Sequence, residues 1–253
     1  MTRAYFVSDL HLHSADDPNA KRFETFLSGL AAADGTTHLF LLGDVFDMWL
    51  ADHRYFVDRY ERIIAQLVRL HAEGVIIHYF EGNHDLHLKK YWSDGLGFVV
   101  HSGPVLIQLA GLTLRLEHGD QMDPEDRGYR FLRWFLRTPP LKLLIHHLPG
   151  TLAAWIGERA SAGSRHYTSE RKTITADLAI EKIRHHARQV HATDPFDLLI
   201  AGHVHFRDDY RDDAGFRAVN LGTWLDKPCC FVLENGTGQF VEVGESDEDN
   251  VAQ

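Results

Sequence analysis

This chain contains very little cysteine and lacks any long apolar segment. Two cysteines occur among its 253 residues, and because Cys229 and Cys230 are adjacent, a mutual disulfide is disfavoured and a pair of buried thiols is expected. No apolar run approaches the roughly 20 residues that a membrane-spanning helix needs, and the segment 1–8 is too short for a secretory signal. These absences predict a cytoplasmic protein.

Positive charge is also scarce over most of the chain. The formal net charge is −10, which argues against a protein that binds nucleic acid with its whole surface. Basic residues are concentrated between Arg127 and Lys172, where nine arginines and lysines accompany two acidic residues. We therefore expect no nucleic-acid partner, although a nuclease that holds a single strand on this basic stretch stays open as an alternative.

Hydrophobic periodicity alternates between strand and helix patterns through the first half of the chain. Predicted strands at 4–7, 39–42 and 75–80 are separated by helical patterns at 20–33 and 54–73, which is typical of βαβ units. The later half contains shorter strand patterns, with hairpin signals at Ala110-Gly111 and Asn235-Gly236. This order predicts an α/β fold in which a mixed sheet system is flanked by helices.

The basic stretch has a different pattern from its flanks. Two helical patterns, Tyr129–Leu136 and Leu141–Ile156, are interrupted by Pro139-Pro140 and Pro149-Gly150, which favours several short helices. The end of the chain is acidic and poor in apolar residues, which favours disorder. We predict a core of residues 1–126 and 173–243, a basic helical cap of residues 127–172 and a disordered acidic tail of residues 244–253.

Five short polar motifs follow predicted strands, where the loops at the carboxyl ends of a sheet gather ligands. The key residues of the first four motifs are separated by 35, 39 and 35 residues, about one strand–helix–strand unit each. The next interval is 85 residues, and its excess matches the length of the basic insert. The motifs are Asp9–His11, Gly43–Asp47, Gly82–Asp85, Glu117–Asp120 and Gly202–His205.

The residue types in these motifs suit a centre of two divalent metal ions, because one carboxylate has two oxygens and can bridge both ions. In a strand, side chains two residues apart point to the same side, so Asp9 and His11 are expected to bind one ion together. Two cations about 3.5–4 Å apart activate water for in-line attack on phosphorus. One such motif is weak, since aspartate often forms turns, but five in this order predict a site.

This set of motifs resembles the calcineurin-like metallophosphoesterases from Phe6 through His205. The resemblance implies a four-layer α/β/β/α sandwich with a helical cap insertion and with two metal ions at the strand ends. One ion would be bound by Asp9, His11, Asp44 and His205. The other would be bound by Asp44, Asn83, His118 and His203. The implied catalytic residues are His84, which faces the substrate phosphate as a donor or general acid, and Asp85, which with Asp47 supports the site.

Within that superfamily the chain more closely resembles the UDP-2,3-diacylglucosamine pyrophosphatases of lipid A synthesis. The segments Tyr5–Leu12 and Leu42–Trp49 and the basic helical insert carry this resemblance. One position departs from it, because these enzymes commonly have arginine where this chain has His84. The implied substrate contacts are Asn83, His84, Asp126, Tyr129, Ser164, Arg165 and Lys172.

The resemblance also implies a reaction, a cofactor and a location. The enzyme would cleave the diphosphate of UDP-2,3-diacylglucosamine to UMP and 2,3-diacylglucosamine 1-phosphate, using two divalent ions that are expected to be Mn²⁺. It would lie as a peripheral protein on the anionic cytoplasmic face of the inner membrane, with no obligate protein partner. The insert suits this role if its apolar residues line a cap and arginines such as Arg133 and Arg137 form a cationic rim.

Three further alternatives stay open. The apolar residues of the insert could form the core of an ordinary helical bundle, with the arginines on its solvated face. The activity could be that of a general nucleotide or phosphodiester metallophosphoesterase with another substrate. The chain could also be a catalytically inactive scaffold, although its complete set of ligand residues argues against that.

Overall fold

Two mixed β-sheets form the centre of the computed structural model, which describes residues 2–152, 155, 159 and 176–244. The strands are β1 (Arg3–Val7), β2 (Thr36–Leu41), β3 (Trp49–Leu50), β4 (Ile76–Phe80), β5 (Asp85–Leu86), β6 (Val99–His101), β7 (Val105–Leu109), β8 (Leu112–Leu116), β9 (Leu198–Ala201), β10 (Arg207–Arg211), β11 (Arg217–Leu221), β12 (Cys229–Glu234) and β13 (Thr237–Glu242). The helices are α1 (Pro18–Ser28), α2 (Arg54–Arg59), α3 (Glu61–Ala72), α4 (Arg127–Leu136), α5 (Pro139–His147) and α6 (Ala176–Thr193), with short 3₁₀ and π turns at Ala32–Asp34 and Lys89–Ser93.

The first sheet has the strand order β13-β12-β1-β2-β4-β6, and the second has the order β10-β11-β9-β8-β7. Strands β1, β2, β4 and β6 run parallel, so their carboxyl ends meet at one edge. A short parallel pair, β3 with β5, joins the loops that leave β2 and β4. The loops after β1, β2, β4, β8 and β9 carry the five polar motifs.

Side chains alternate between the two faces of each buried strand. Phe6 and Phe40 stack between the sheets with ring centroids 4.6 Å apart, whereas Val7 and Leu41 belong to the core that α1 and α3 cover. On the far side of the second sheet, Leu199 packs in the cluster that includes residues of α6. The layers are therefore helix, sheet, sheet and helix, which confirms the predicted α/β/β/α sandwich.

The helical pattern at 54–73 forms two helices instead of the single helix that was predicted. Tyr60 ends α2 and precedes α3, with φ −119° and ψ 23°. Its ring lies 4.2 Å from that of Phe46, and its hydroxyl donates a hydrogen bond to the carbonyl of Leu12 at 2.7 Å. This buried tertiary contact fixes Tyr60, and the chain changes direction around it.

Helices α4 and α5 begin where the sequence supplies a cap or a proline. Asp126 caps α4, because its carboxylate accepts a hydrogen bond from the backbone N–H of Tyr129 at 2.9 Å. Pro139 and Pro140 lie in the first turn of α5, where a missing N–H leaves no hydrogen bond unmade. The prolines thus separate the two helices, as predicted.

Two histidines attach the ends of these helices to the core. His87 donates a hydrogen bond to the carbonyl of Leu136 at 3.1 Å, and His53 donates one to the carbonyl of Ile145 at 2.8 Å. Carbonyls in the last turn of a helix have no partner within the helix. His53 follows β3 and His87 follows β5, so α4 and α5 are held against the loops of the second and third motifs.

The prediction that Arg133 and Arg137 form an exposed cationic rim is wrong. Arg133 Nε donates to Asp120 at 2.6 Å, and Arg137 Nη2 donates to Glu81 at 3.2 Å. Both carboxylates are buried. Because a buried carboxylate needs a paired cation, these arginines point inward from α4.

Apolar side chains of the same region face outward. Eight of them have exposed fractions between 42% and 63%, so these residues do not form the core of a helical bundle in the part of the chain that the structure describes. No helix in the described part of the chain combines the length and the apolar character needed to cross a bilayer. We call this surface the aromatic face, and its residues are Phe131, Leu132, Trp134, Phe135, Leu143, Leu144, Leu152 and Trp155.

Candidate metal centre

The five motif loops bring their polar side chains together at the carboxyl edges of both sheets. The predicted reason for the pairing of Asp9 and His11 is wrong, because both residues lie beyond β1 with left-handed backbone, at φ 53° and 49°. Asp44 and His203 share this conformation, at φ 52° and 65°. Tight left-handed turns, and not strand alternation, aim these side chains into the site.

One group of donor atoms consists of Asp9, His11 and His205. The Nε2 atoms of the two histidines lie 3.2 Å apart, and the His205 Nε2 atom lies 3.4 Å from Asp9 Oδ1. Asp9 is fully buried, and its Oδ1 accepts no hydrogen bond from any described residue. A buried carboxylate oxygen that faces two imidazole nitrogens is the arrangement expected of a divalent-cation site.

A second group consists of Asp44, Asn83, His118 and His203. The Asn83 amide oxygen lies 3.1 Å from His118 Nε2 and 3.0 Å from His203 Nδ1, and His118 Nε2 lies 3.5 Å from Asp44 Oδ2. His118 Nδ1 donates to the carbonyl of Leu42 at 2.8 Å. That hydrogen bond orients the ring and aims Nε2 at the other donors.

His84 completes a third group with His11 and Asp44, in which the candidate ligand atoms lie within 4.8 Å of one another. The backbone N–H of His84 donates to Asp44 Oδ1 at 2.9 Å, and its ring Nδ1 donates to the carbonyl of Asp47 at 2.7 Å. Asp44 therefore belongs to two of the three groups, which places its carboxylate between them.

Burial and mutual charge set the protonation of these groups. Burial lowers the pKa of His11 to about 4, so its ring is neutral near pH 7. Burial would raise the pKa of Asp44, but the facing His118 and His84 hold it well below its usual range. Burial would lower the pKa of His118, but the carboxylates of Asp44 and Asp9 raise it to about 10. A cation that binds here must displace that proton.

Glycines allow the backbone to pass close to the candidate ligands. A Cβ at Gly82 would overlap Asp44 Oδ1, and a Cβ at Gly202 would overlap Asp9 Oδ2. A Cβ at Gly43, which has φ 89°, would collide with the ring of His118. The side chains of both groups thus fill the space that these glycines leave.

We expect the Gly82→Ala variant to lose metal affinity and activity by roughly 10- to 100-fold, the usual effect of disturbing groups that orient metal ligands. The added methyl group displaces the Asp44 carboxylate. Gly29→Ala is the matched control, because its nearest neighbour would lie at 3.5 Å. Metal titration and steady-state kinetics on both variants make the comparison, and a Gly82→Ala protein with unchanged metal affinity would contradict this reading.

Asp85 and Asp47 lie beside the donor groups. Asp85 is fully buried and accepts hydrogen bonds from the N–H of Val45 at 2.8 Å and from the hydroxyl of Tyr79 at 2.9 Å. Burial and the nearby Asp44 charge raise the pKa of Asp85 well above its usual range. Asp85 thus fixes the loop that carries Asp44, and both of its oxygens accept hydrogen bonds from within the protein.

The predicted substrate contacts divide into two sets. The Tyr129 ring lies 6.3 Å from that of His203, and its hydroxyl donates to Asp120 at 2.5 Å, so Tyr129 borders the second donor group. The Asp126 carboxylate caps α4 from the same loop. The remaining contacts lie outside the described residues: Ser164, Arg165 and Lys172.

Sequence reasoning missed a set of buried charges beside the candidate ligands. Glu117 accepts from His186 Nε2 at 2.5 Å and from Arg115 Nε at 3.1 Å, and Asp120 accepts from Arg133. The acids that flank His118 in its motif were a local signal. Arg115 precedes Glu117 by two residues on β8, whereas His186 and Arg133 come from α6 and α4, and no spacing in the sequence indicates these two partners.

Comparison with known proteins places the chain among phosphoesterases. Residues 2–207 match the family described as calcineurin-like phosphoesterase. A protein of Porphyromonas gingivalis named UDP-2,3-diacylglucosamine hydrolase is 30% identical over 88% of this chain and 91% of its own. A protein of the same name from Neisseria meningitidis serogroup B is 28% identical over 94% of this chain and 96% of its own. Among solved structures, vacuolar protein sorting 29 from Cryptosporidium parvum is similar at a TM-score of 0.46 and 14% identity, over 95% of each chain.

Proposed function

The chain belongs to the calcineurin-like phosphoesterase family and is a metal-dependent hydrolase, and we propose that it cleaves the diphosphate of UDP-2,3-diacylglucosamine to UMP and 2,3-diacylglucosamine 1-phosphate. The observation that carries this proposal is the position of the Asp44 carboxylate between two groups of imidazole, carboxylate and amide donors. An acylated UDP-sugar also accounts for the aromatic face on the adjoining helices.

The donor chemistry fits two divalent ions, with Mn²⁺ as the expected metal. The fit rests on the unpartnered Asp9 Oδ1 and on the space that Gly82 and Gly202 leave for carboxylates. When bound, such ions supply Lewis-acid activation of water and neutralise phosphate charge. In this proposal one ion is held by Asp9, His11, Asp44 and His205. The other is held by Asp44, Asn83, His118 and His203.

In this proposal His84 acts on the substrate phosphate. Its Nδ1 hydrogen bond to the carbonyl of Asp47 fixes the ring, and a ring nitrogen of His84 lies within 4.8 Å of ligand atoms of Asp44 and His11. When both ring nitrogens carry a proton, Nε2 can donate a proton or a hydrogen bond to a phosphate oxygen.

We expect His84→Ala to lower kcat by roughly 10²- to 10³-fold, the usual range for a positioned acid–base group, and to retain its metal ions. Metal content by mass spectrometry is measured beside steady-state kinetics. His185→Ala, an exposed histidine on α6, is the matched control and should leave both quantities unchanged. If His84→Ala loses its metals, His84 is a ligand and the proposed role is wrong.

We propose that the aromatic face lies against the acyl chains or the anionic membrane surface that contains them. Helices α4 and α5 contain no acidic residue, and both carry an exposed basic residue, Arg127 on α4 and Lys142 on α5. Lipid-facing aromatic side chains beside basic ones are typical of peripheral membrane proteins. The proposed location is therefore the cytoplasmic face of the inner membrane.

We expect Arg127→Ala and Lys142→Ala each to weaken binding to anionic vesicles by about fivefold, because each basic residue near such a surface contributes about 1 kcal/mol. The loss should shrink as salt concentration rises. Vesicle co-sedimentation at several salt concentrations measures it, with zwitterionic vesicles for comparison. Partly exposed Lys21→Ala on α1 serves as the control, and equal losses in all three variants would contradict the assignment of this surface.

The direct test of the proposed function is incubation of the Mn²⁺-loaded protein with UDP-2,3-diacylglucosamine. Release of UMP and the lipid monophosphate, in equal amounts, is the expected result. Absence of both products with the fully metallated protein overturns the proposal.

A second candidate function is that of a general phosphodiesterase of the same family. The presence of His84, where the acyl-UDP-sugar enzymes commonly have arginine, favours it. If the protein turns over a chain-free nucleotide diphosphate as fast as the acylated substrate, this second function is supported.

A further inference from the structure

A cavity of about 220 Å³ lies beside His118, between the second sheet and α4. Its walls come from the end of β4, the turn before β7, the end of β8, and helices α4 and α6. His118, Gly119 and Asp120 form the wall that it shares with the second donor group. A ligand in this cavity therefore lies next to the phosphates that the proposed metal centre would hold.

One wall of the cavity has hydrogen-bonding groups in a fixed order. The Glu117 carboxylate accepts from Arg115 on one side and from His186 on the other, at 3.1 and 2.5 Å. Glu117 therefore lies between two donors that hold its carboxylate in place, and each carboxylate oxygen keeps a lone pair that can accept from a ligand. The imide edge of a uracil ring has an N–H beside a carbonyl group, so the N–H can donate to Glu117 while the carbonyl accepts from Arg115. The guanidinium of Arg115 has five N–H groups, so it retains donors for a ligand carbonyl.

The other walls suit a flat ring with one polar edge. Phe80 and Pro104 contribute apolar atoms to the cavity lining, and the exposed Pro104 offers a surface against which a planar base can pack, since Phe80 is buried against His101. The exposed Gln121 also lines it, and its side-chain amide makes no hydrogen bond to a described residue. This amide can donate to, or accept from, a ligand at the mouth of the cavity.

The two sides of α4 differ in chemistry. Arg133 lines the cavity, whereas the neighbouring Trp134 belongs to the outward aromatic face. The cavity is smaller than the roughly 300–1,000 Å³ of pockets for drug-sized molecules, so an acylated sugar does not fit in it. A nucleobase with part of its ribose does. A diphosphate whose halves differ in polarity can thus place each half on a different side of α4.

We propose that this cavity, the nucleoside cavity, binds the uridine half of the substrate, with the imide edge of the base against Arg115 and Glu117. This inference rests on the proposed function, because it takes the substrate to be a UDP-sugar. Arg115 and Glu117 are therefore specificity-determining residues that contact the base, His186 is a positioning residue that holds the Glu117 carboxylate, and Gln121 contacts the base at the mouth.

The test is calorimetric binding of UMP and of ribose 5-phosphate, which lacks the base, to the Mn²⁺-loaded protein. We expect UMP to bind at least tenfold more tightly than ribose 5-phosphate. His186→Ala and Gln121→Ala should each weaken UMP binding at least threefold and leave ribose 5-phosphate binding unchanged. Gln121 is exposed, so its variant tests the cavity even if His186→Ala does not fold. Gln108→Ala, on the exposed edge strand β7, is the matched control and should change neither affinity.

Equal affinities for UMP and ribose 5-phosphate would overturn the inference, and so would a UMP preference that both variants retain in full. The results distinguish the failure of this inference from the failure of the proposed function. Cleavage of UDP-2,3-diacylglucosamine without any preference for the base would contradict uridine binding in the nucleoside cavity and would support the proposed function. If the variants abolish a base preference but the protein does not cleave this substrate, the proposed function is wrong and the nucleoside cavity remains a nucleotide-binding site.

Discussion

Replacement of Asp44 by asparagine is expected to reduce activity by roughly 10³-fold or more and to lower metal content below two ions per chain. Asparagine keeps the shape and tolerates the left-handed backbone at this position, so the change removes charge and one anionic oxygen without disturbing the loop. The charge stabilisation that metal ions contribute is several kcal/mol, and about 1.4 kcal/mol corresponds to a tenfold change in rate.

The matched control for this substitution is Asp58→Asn on α2, where the side chain is 63% exposed. It makes the same chemical change at an exposed residue that belongs to none of the donor groups, and it should leave kinetics and metal content unchanged. Elemental analysis and initial rates are measured on the same preparations. An Asp44→Asn protein that retains both metal ions and turnover within a few-fold of the unmodified protein would refute the bridging role.

Removal of the aromatic face is expected to erase the preference for acylated substrate. Each buried methylene contributes on the order of 0.8 kcal/mol, so even partial burial of two acyl chains separates acylated from chain-free UDP-sugars by several kcal/mol. Trp134 and Phe135 are 63% and 45% exposed, and this area is available to a chain. We expect the double variant Trp134→Ala/Phe135→Ala to raise KM for acylated substrate roughly 10- to 100-fold, with no change for the chain-free compound.

Leu178→Ala on α6 is the control for that experiment, because Leu178 is similarly exposed, at 57%, and lies outside the aromatic face. Since the replaced side chains are exposed, thermal midpoints should remain close to that of the unmodified protein. Equal kinetics on acylated and chain-free UDP-sugars in the unmodified protein would show that the acyl chains are not recognised and would contradict the proposed lipid substrate.

The layered fold and the meeting of the five loops follow from features that a sequence displays. Alternating apolar residues place Phe6 and Val7 on opposite faces of β1, and regular intervals place polar residues after parallel strands. Parallel strands end at one edge of a sheet, so the convergence of Asp9, Asp44 and Asn83 can be predicted without knowing how side chains pack.

Other features depend on contacts between distant segments. The break at Tyr60 arises because its hydroxyl reaches Leu12, which lies 48 residues earlier. The inward turn of Arg133 and Arg137 arises from buried carboxylates on other elements. Amphipathic periodicity identified α4 as a helix, but which of its faces meets the core depends on these partners.

The left-handed backbone of Asp9, His11, Asp44 and His203 has a consequence for the free energy of the whole fold. Such a conformation costs about 1 kcal/mol or more for each residue other than glycine, so the four together store about 4 kcal/mol. This is a large share of the roughly 5–15 kcal/mol by which a native domain is stable. A chain selected for stability alone would carry glycine at these positions. The aspartate and histidine side chains at these positions therefore lower the stability of the fold, and the candidate metal site requires them.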